Sequence, residues 1–256
     1  MIHIHPARLA AYSDEVHDEP GPALDSIRKC SIQYVCLRRA WTGNVTTLHD
    51  IALSQLKGML GQLKVLMISS DLGMDLENVP DKEFEQNFLV ANYFGAKLIR
   101  FHVGVKGQEG LREGWIKRVG DRAIKANIVP LLEYNPEYGN LSAKEISELL
   151  DAHPRWRFLY DPAQLVCRRN LDPFANYWTP LRDRTALVDL RDYKIGVGFR
   201  PVGLGDCRLL DTVKDANQRG YTGMFAIEPG LGRKFGSALT RDEVFKLAYT
   251  QLQEHL

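Results

Sequence analysis

The chain has 256 residues, of which 45% are hydrophobic and 25% charged, with a formal net charge of +1. That length suits one barrel-sized domain or two small ones, and the composition is that of an ordinary globular chain. Near-neutral charge removes the electrostatic basis for binding nucleic acid. No apolar run approaches a bilayer span and the N-terminus lacks a signal pattern, so no membrane partner is expected either.

Residues 1–8 read as an N-terminal extension. His3 and His5 form an HxH pair, but the pair precedes Pro6 and lies ahead of the better strand at 9–12, so no ligand role is assigned to it. Further strand-like runs follow at 33–37, 64–68, 97–102, 128–133, 157–161, 185–190 and 223–228. Helical periodicity fills the intervals. In 47–63, Leu48, Ile51, Ala52, Leu56, Met59, Leu60 and Leu63 fall near one face, and 82–94, 111–126, 141–150, 209–218 and 241–252 show similar patterns. Ser142 with Glu145, and Thr240 with Glu243, have capping-box spacing. Gly95, Asn127 and Gly220 stand where helices end. The proline-punctuated stretches 20–30 and 172–181 predict short helices. Eight β–α units predict a single (β/α)8 TIM barrel over 1–256. The alternative, an open doubly wound sheet, lacks its usual signatures: neither a GxGxxG after the first strand nor a P-loop occurs.

Four of the runs close on an acid: Glu133, Asp161, Asp189 and Glu228, spaced 28, 28 and 39 residues apart. A carboxylate at the end of a buried strand is costly unless a cation or partner neutralises it. In a barrel all four would meet at the C-terminal mouth, where active sites sit. An oxygen-rich cluster there favours one hard divalent ion, Mg²⁺ or Mn²⁺, with Zn²⁺ as the alternative. The four cysteines show no CxxC or metal-site spacing and predict a reduced, cytoplasmic protein.

The residues at these strand ends carry a resemblance. Ser13-Asp14-Glu15 follows strand one, Tyr34-Val35-Cys36-Leu37-Arg38 forms strand two, and Gly95-Ala96-Lys97-Leu98-Ile99-Arg100 leads into strand four. Leu132-Glu133, Asp161-Pro162-Ala163-Gln164 and Asp189-Leu190-Arg191-Asp192 stand at strands five to seven, before Pro201-Val202-Gly203-Leu204-Gly205-Asp206 and Ile227-Glu228-Pro229. Across nearly its whole length the chain resembles the sugar phosphate isomerase/epimerase superfamily of xylose isomerase-like TIM barrels, which also includes endonuclease IV (AP endonuclease family 2). The resemblance implies one divalent metal held by Glu133, Asp161, Asp189 and Glu228, with Asp189 where the family has histidine. It implies that Glu133 and Glu228 are the acid–base pair of an isomerase or epimerase working through an enediolate on a small sugar, sugar phosphate or related polyhydroxy carbonyl compound.

His102, Gln164, Arg38, Arg100 and Arg200 are expected on the substrate side, the arginines either clamping an anionic group or neutralising the acids. Tyr12 and Trp41 either line a sugar face or pack. DNA repair is not expected, because the additional histidines of a three-metal site are missing. A lyase or dehydratase of the same fold, and a barrel that has lost catalysis but still binds a sugar-like ligand, stand as alternatives. The oligomeric state, a homo-oligomer included, is left open.

Overall fold

The computed structural model describes residues 4–41, 43–103, 107–134, 141–169, 171–230 and 239–255. Eight strands form a closed parallel barrel: β1 (Leu9–Tyr12), β2 (Tyr34–Leu37), β3 (Lys64–Ser69), β4 (Leu98–Phe101), β5 (Val129–Glu133), β6 (Arg157–Tyr160), β7 (Thr185–Leu190) and β8 (Met224–Ile227). Each strand pairs with its neighbours in sequence, and β8 closes onto β1 through Leu9 opposite Phe225 and Ala11 opposite Ile227. The TIM barrel expected from the alternation is therefore the fold.

Helices cover the outside: α1 (Pro20–Lys29), α2 (Asp50–Leu60), α3 (Asp81–Phe94), α4 (Glu109–Ala126), α5 (Ala143–Ala152), α6 (Pro162–Arg169), α7 (Leu209–Gln218) and α8 (Arg241–His255). They bury stripes set by the 3.6-residue period. Phe84, Phe88 and Ala91 of α3 meet Trp115, Ile116, Val119 and Ala123 of α4 over β4. Phe84 stacks edge-on against both Phe88 and Trp115, at 5.3 and 5.7 Å between ring centres. Each such side chain contributes roughly 1.5–3 kcal/mol by leaving water.

The terminators are those that the residue types suggest. Gly95 and Asn127 adopt left-handed backbone at φ 69° and 53°, stopping α3 and α4. Ser142 with Glu145 and Thr240 with Glu243 make their reciprocal capping bonds.

Four elements have no counterpart in the periodicity. A helical turn, Ser13–Val16, follows β1, and α6 starts directly at Pro162. Two small hairpins, Arg39–Ala40 with Gly43–Asn44 and Asp192–Lys194 with Gly198–Arg200, rise from the ends of β2 and β7. The stretch expected as one short helix at 172–181 is a π turn, Phe174–Trp178, running into the α turn Thr179–Leu181. His5 caps the turn Pro6–Arg8 by accepting from the Ala7 N–H, and His3 lies outside the described residues.

Candidate functional site

The barrel interior is built by stepping two residues at a time along each strand, because alternate side chains face inward. One inner layer consists of Tyr12, Cys36, Met67, Leu98, Leu131, Leu159, Leu187 and Ala226. Two residues further on in each strand stand Asp14, Arg38, Ser69, Arg100, Glu133, Asp161, Asp189 and Glu228. An apolar interior thus gives way to a polar layer at the C-terminal mouth, where the four strand-closing acids share the layer with Asp14, Arg38, Arg100 and Ser69.

Asp161, Asp189 and Glu228 are buried, and one oxygen from each lies within 4.8 Å of the others. Two arginines reach into this group. Arg38 donates through Nη1 to Glu228 (2.6 Å), through Nε to Asp14 (2.8 Å) and through Nη2 to Glu15 (2.7 Å). Arg191 places Nη1 3.1 Å from Asp161 and 3.5 Å from Glu228. The remaining Asp161 oxygen accepts the backbone N–H groups of Ala163 and Gln164 at the start of α6.

Asp189 is treated differently. It receives only the Tyr12 hydroxyl, at 3.1 and 3.3 Å, and no ion pair among the described residues. Burial and then the neighbouring charges of Glu228 and Asp161 push its pKa well up. Burial likewise raises Asp161 to about 7, against the pull of Arg191. Burial also opposes the charge on Glu228, but Arg191 and Arg38 more than offset it and hold the group at about 2.

Three residues beyond Asp189, buried Asp192 accepts four backbone N–H groups, from Tyr193, Gly203, Gly205 and Cys207. Asp189 has no such set of donors to oppose its burial and its neighbouring charges. Three hard oxygen donors with one undercompensated carboxylate suit a divalent cation. Oxygens within 4.8 Å of one another need only small side-chain shifts to share Mg²⁺, whose opposite ligands stand at most about 4.2 Å apart at its usual distance of about 2.0–2.1 Å.

Across the mouth the arrangement is closed. Arg100 forms a salt bridge with Glu133, and its Nη1 lies 3.2 Å from His102 Nε2. Guanidinium only donates, so Nε2 accepts and the ring proton sits on Nδ1. Burial, then the Arg100 charge, lowers the His102 pKa to about 3, so the ring is neutral. Backbone bonds from His102 N to Leu72 O and from Trp115 Nε1 to His102 O fix its position. Ser69 Oγ is buried and meets no partner among the described residues.

The structure gathers Asp161, Asp189 and Glu228 into one group and leaves Glu133 outside it, on Arg100. Gln164 stands on α6 beside Asp161, and Arg200 lies on the hairpin, where its Nη1 donates to Phe199 O. Tyr12 and Arg38 serve the acids directly, with the Arg38 guanidinium 5.1 Å from the Tyr12 ring centre. Arg191, Asp14, Glu15 and Ser69 are members that the acid-terminated strands alone do not reveal. The inward phase of each strand supplies the signal for Ser69 and Asp14.

A family model described as xylose isomerase-like TIM barrel matches residues 36–244. The chain belongs to that family. A search of curated proteins gives no match. Among solved structures, the chain is similar to a xylose isomerase-like TIM barrel protein from Mycobacterium smegmatis in complex with magnesium, at 16% identity and a TM-score of 0.73 over 99% of this chain and 98% of that one. It is similar to D-allulose 3-epimerase from Methylomonas sp., at 13% identity and a TM-score of 0.71 over the whole of both chains. It is also similar to the probable 3-DHS dehydratase AsbF from Bacillus anthracis, at 16% identity and a TM-score of 0.69 over 95% and 98% of the two chains. At these identities the likeness concerns the fold.

Proposed function

We propose that the protein is a metal-dependent isomerase or epimerase acting on a small sugar, sugar phosphate or related polyhydroxy carbonyl compound. The observation that carries this reading is Asp189, a buried carboxylate with one hydroxyl partner, set beside Asp161 and Glu228. Asp161, Asp189 and Glu228 hold the cation, with Glu133 as the remaining carboxylate, and the all-oxygen set favours Mg²⁺ or Mn²⁺ over Zn²⁺. The bound ion supplies Lewis-acid polarisation of the substrate carbonyl, which acidifies the adjacent C–H.

The chain's own residues handle the proton. Glu228, ionised through Arg38 and Arg191, and Glu133, hydrogen-bonded to Arg100, form the acid–base pair. One carboxylate accepts the proton from the α-carbon. Ionised Glu228 is the acceptor. Delivery of a proton that Glu133 carries in its acid form to the opposite face gives epimerisation, after which exchange with solvent resets the pair. Return of the abstracted proton from Glu228 to the neighbouring carbon gives isomerisation. Neutral His102, Gln164 and Arg200 bind and orient the substrate's oxygens, while Arg38 and Arg100 hold the carboxylates in place.

The test is solvent exchange. Ketohexoses, ketopentoses, hydroxypyruvate and inososes are incubated with the protein and Mg²⁺ or Mn²⁺ in D₂O, and proton NMR follows the carbon beside the carbonyl. Deuterium is expected there in at least one compound. Binding without exchange in any of them would leave a barrel that holds a sugar-like ligand and does no chemistry.

A further inference from the structure

Arg191 holds two of the three carboxylates that an ion at this site would use. Its Nη1 lies 3.1 Å from Asp161 Oδ2 and 3.5 Å from Glu228 Oε1. The other Asp161 oxygen is already committed to the amides of Ala163 and Gln164. A cation approaching Asp161 therefore meets an oxygen whose lone pairs face a guanidinium.

We propose that Arg191 is an internal competitor for the cation: guanidinium and divalent ion neutralise the same carboxylates, and metal loading displaces Arg191 from its bridge, a step that rests on the metal-binding reading above. The two arginines of this side differ in a way that fits exchange at Arg191 alone. Arg38 donates through three nitrogens to three different carboxylates and is locked. Arg191 uses Nη1 for both of its partners, and its Nε has no hydrogen bond among the described residues. Its side chain is 16% exposed, against 0% for Asp161 and 4% for Glu228, so it lies on the outward side of the pair.

The guanidinium rests over the Phe199 ring at 4.6 Å. Gly230, at φ 66°, lies so close that a Cβ there would come within 3.0 Å of Arg191 Nε and 3.1 Å of the Phe199 ring. Glycine at 230 therefore lets the backbone pack directly against the guanidinium and the Phe199 ring, where any side chain would press on both.

Titration calorimetry with MnCl₂ on chelator-stripped wild type, Arg191→Gln and Arg191→Lys tests this, with circular dichroism melts checking that each variant folds. Arg191→Gln is expected to bind Mn²⁺ about tenfold more tightly or better, the worth of one released charge-assisted hydrogen bond. Arg191→Lys keeps the charge but loses the planar fork, and should show a smaller gain over wild type. It also carries the test if the Gln variant does not fold. Equal or weaker binding by both variants, with wild type binding, overturns the competition and leaves the metal site standing. A gain in the Gln variant with none in the Lys variant assigns the effect to charge at a distance and also overturns it. Absence of binding in all three proteins removes the metal site and the competitor together.

Discussion

On the β6–β8 side of the mouth, continued round the closed barrel by the ends of β1 and β2, five carboxylates (Asp14, Glu15, Asp161, Asp189 and Glu228) share two guanidiniums, those of Arg38 and Arg191. On the β3–β5 side, Arg100 and Glu133 pair one to one beside a neutral His102. Both sides are buried and both sit in the same layer of the barrel. Location at a strand end does not by itself leave a carboxylate uncompensated. What separates Asp189 from Glu133 is the number of cations and donors within reach, and only the β6–β8 side has negative charge to spare.

The largest effect expected from breaking this contrast is on rate. Glu133→Gln and Glu228→Gln each keep an oxygen but can no longer give or take the proton, so kcat should fall by roughly 10²–10⁴ at saturating metal. A drop in only one of them, seen in steady-state kinetics, would limit proton transfer to one side of the mouth.

Stability comes next. Arg38→Leu takes the shared guanidinium from three buried carboxylates, of which Glu228 keeps Arg191 and Glu15 keeps the Gly230 N–H, and should cost about 3–5 kcal/mol, the usual loss on breaking a buried pair. Arg100→Leu strands one and should cost less. Thermal melts at roughly 2–4 °C per kcal/mol for a chain of this size resolve the two, and equal losses would contradict the asymmetry.

Asp189→Asn moves stability the other way. It removes a buried carboxylate that no cation offsets among the described residues, so the metal-free protein at pH 7 should melt at a higher temperature than the wild type. The stabilisation that Mg²⁺ or Mn²⁺ gives the wild type should shrink in the same variant. A lower melting temperature in chelator would place a compensating cation at Asp189 and remove the distinction between the two sides.

The pH profile of the metal-free protein follows from the same groups. Asp161 is raised from 3.8 to about 7 on folding, so the folded state keeps a proton that the unfolded chain has lost. Its contribution to stability therefore falls as pH rises from about 4 to 7. His102, lowered from 6.5 to about 3, refuses a proton that the unfolded chain takes, and its contribution is lost as pH falls through that window. Glu228, lowered from 4.5 to about 2, loses its contribution below pH 4.5. Melts in chelator between pH 3 and 8 should show less decline towards neutrality in Asp161→Asn than in wild type.

The smallest effect is expected at Ser69. Its buried hydroxyl has no partner among the described residues, so Ser69→Ala should leave stability within about 0.5 kcal/mol or raise it slightly, as measured by urea unfolding.

Much of the frame was legible in the chain. The alternation of strand and helix patterns fixes the barrel, and the acid-terminated strands point to one mouth because a parallel barrel brings all its strand ends together. Gly95, Asn127 and the two capping boxes mark helix ends through local chemistry that needs no tertiary partner. The hairpins at 39–44 and 192–200 escape a periodicity reading because two- and three-residue strands are shorter than any period test. Glu133 and Asp189 look alike in sequence, each closing an apolar run. Their difference arises from Arg100 and Tyr12, which sit 33 and 177 residues away, and no spacing rule reaches that far. Arg191 was visible as a neighbour of Asp189, yet it turns to Asp161 and Glu228 instead.

Asp192 gathers four amides around a single carboxylate and thereby sets the shape of the loop from residue 193 to 207 at one point. The hairpin tip, with Ile195 and Val197 exposed at 48% and 44%, lies beyond that knot. A loop tied at its base can change length at its end without moving what stands beneath it. The tip is therefore the natural place for insertion or grafting, where new sequence can reshape the entrance of the barrel while Arg191 and the acids keep their positions.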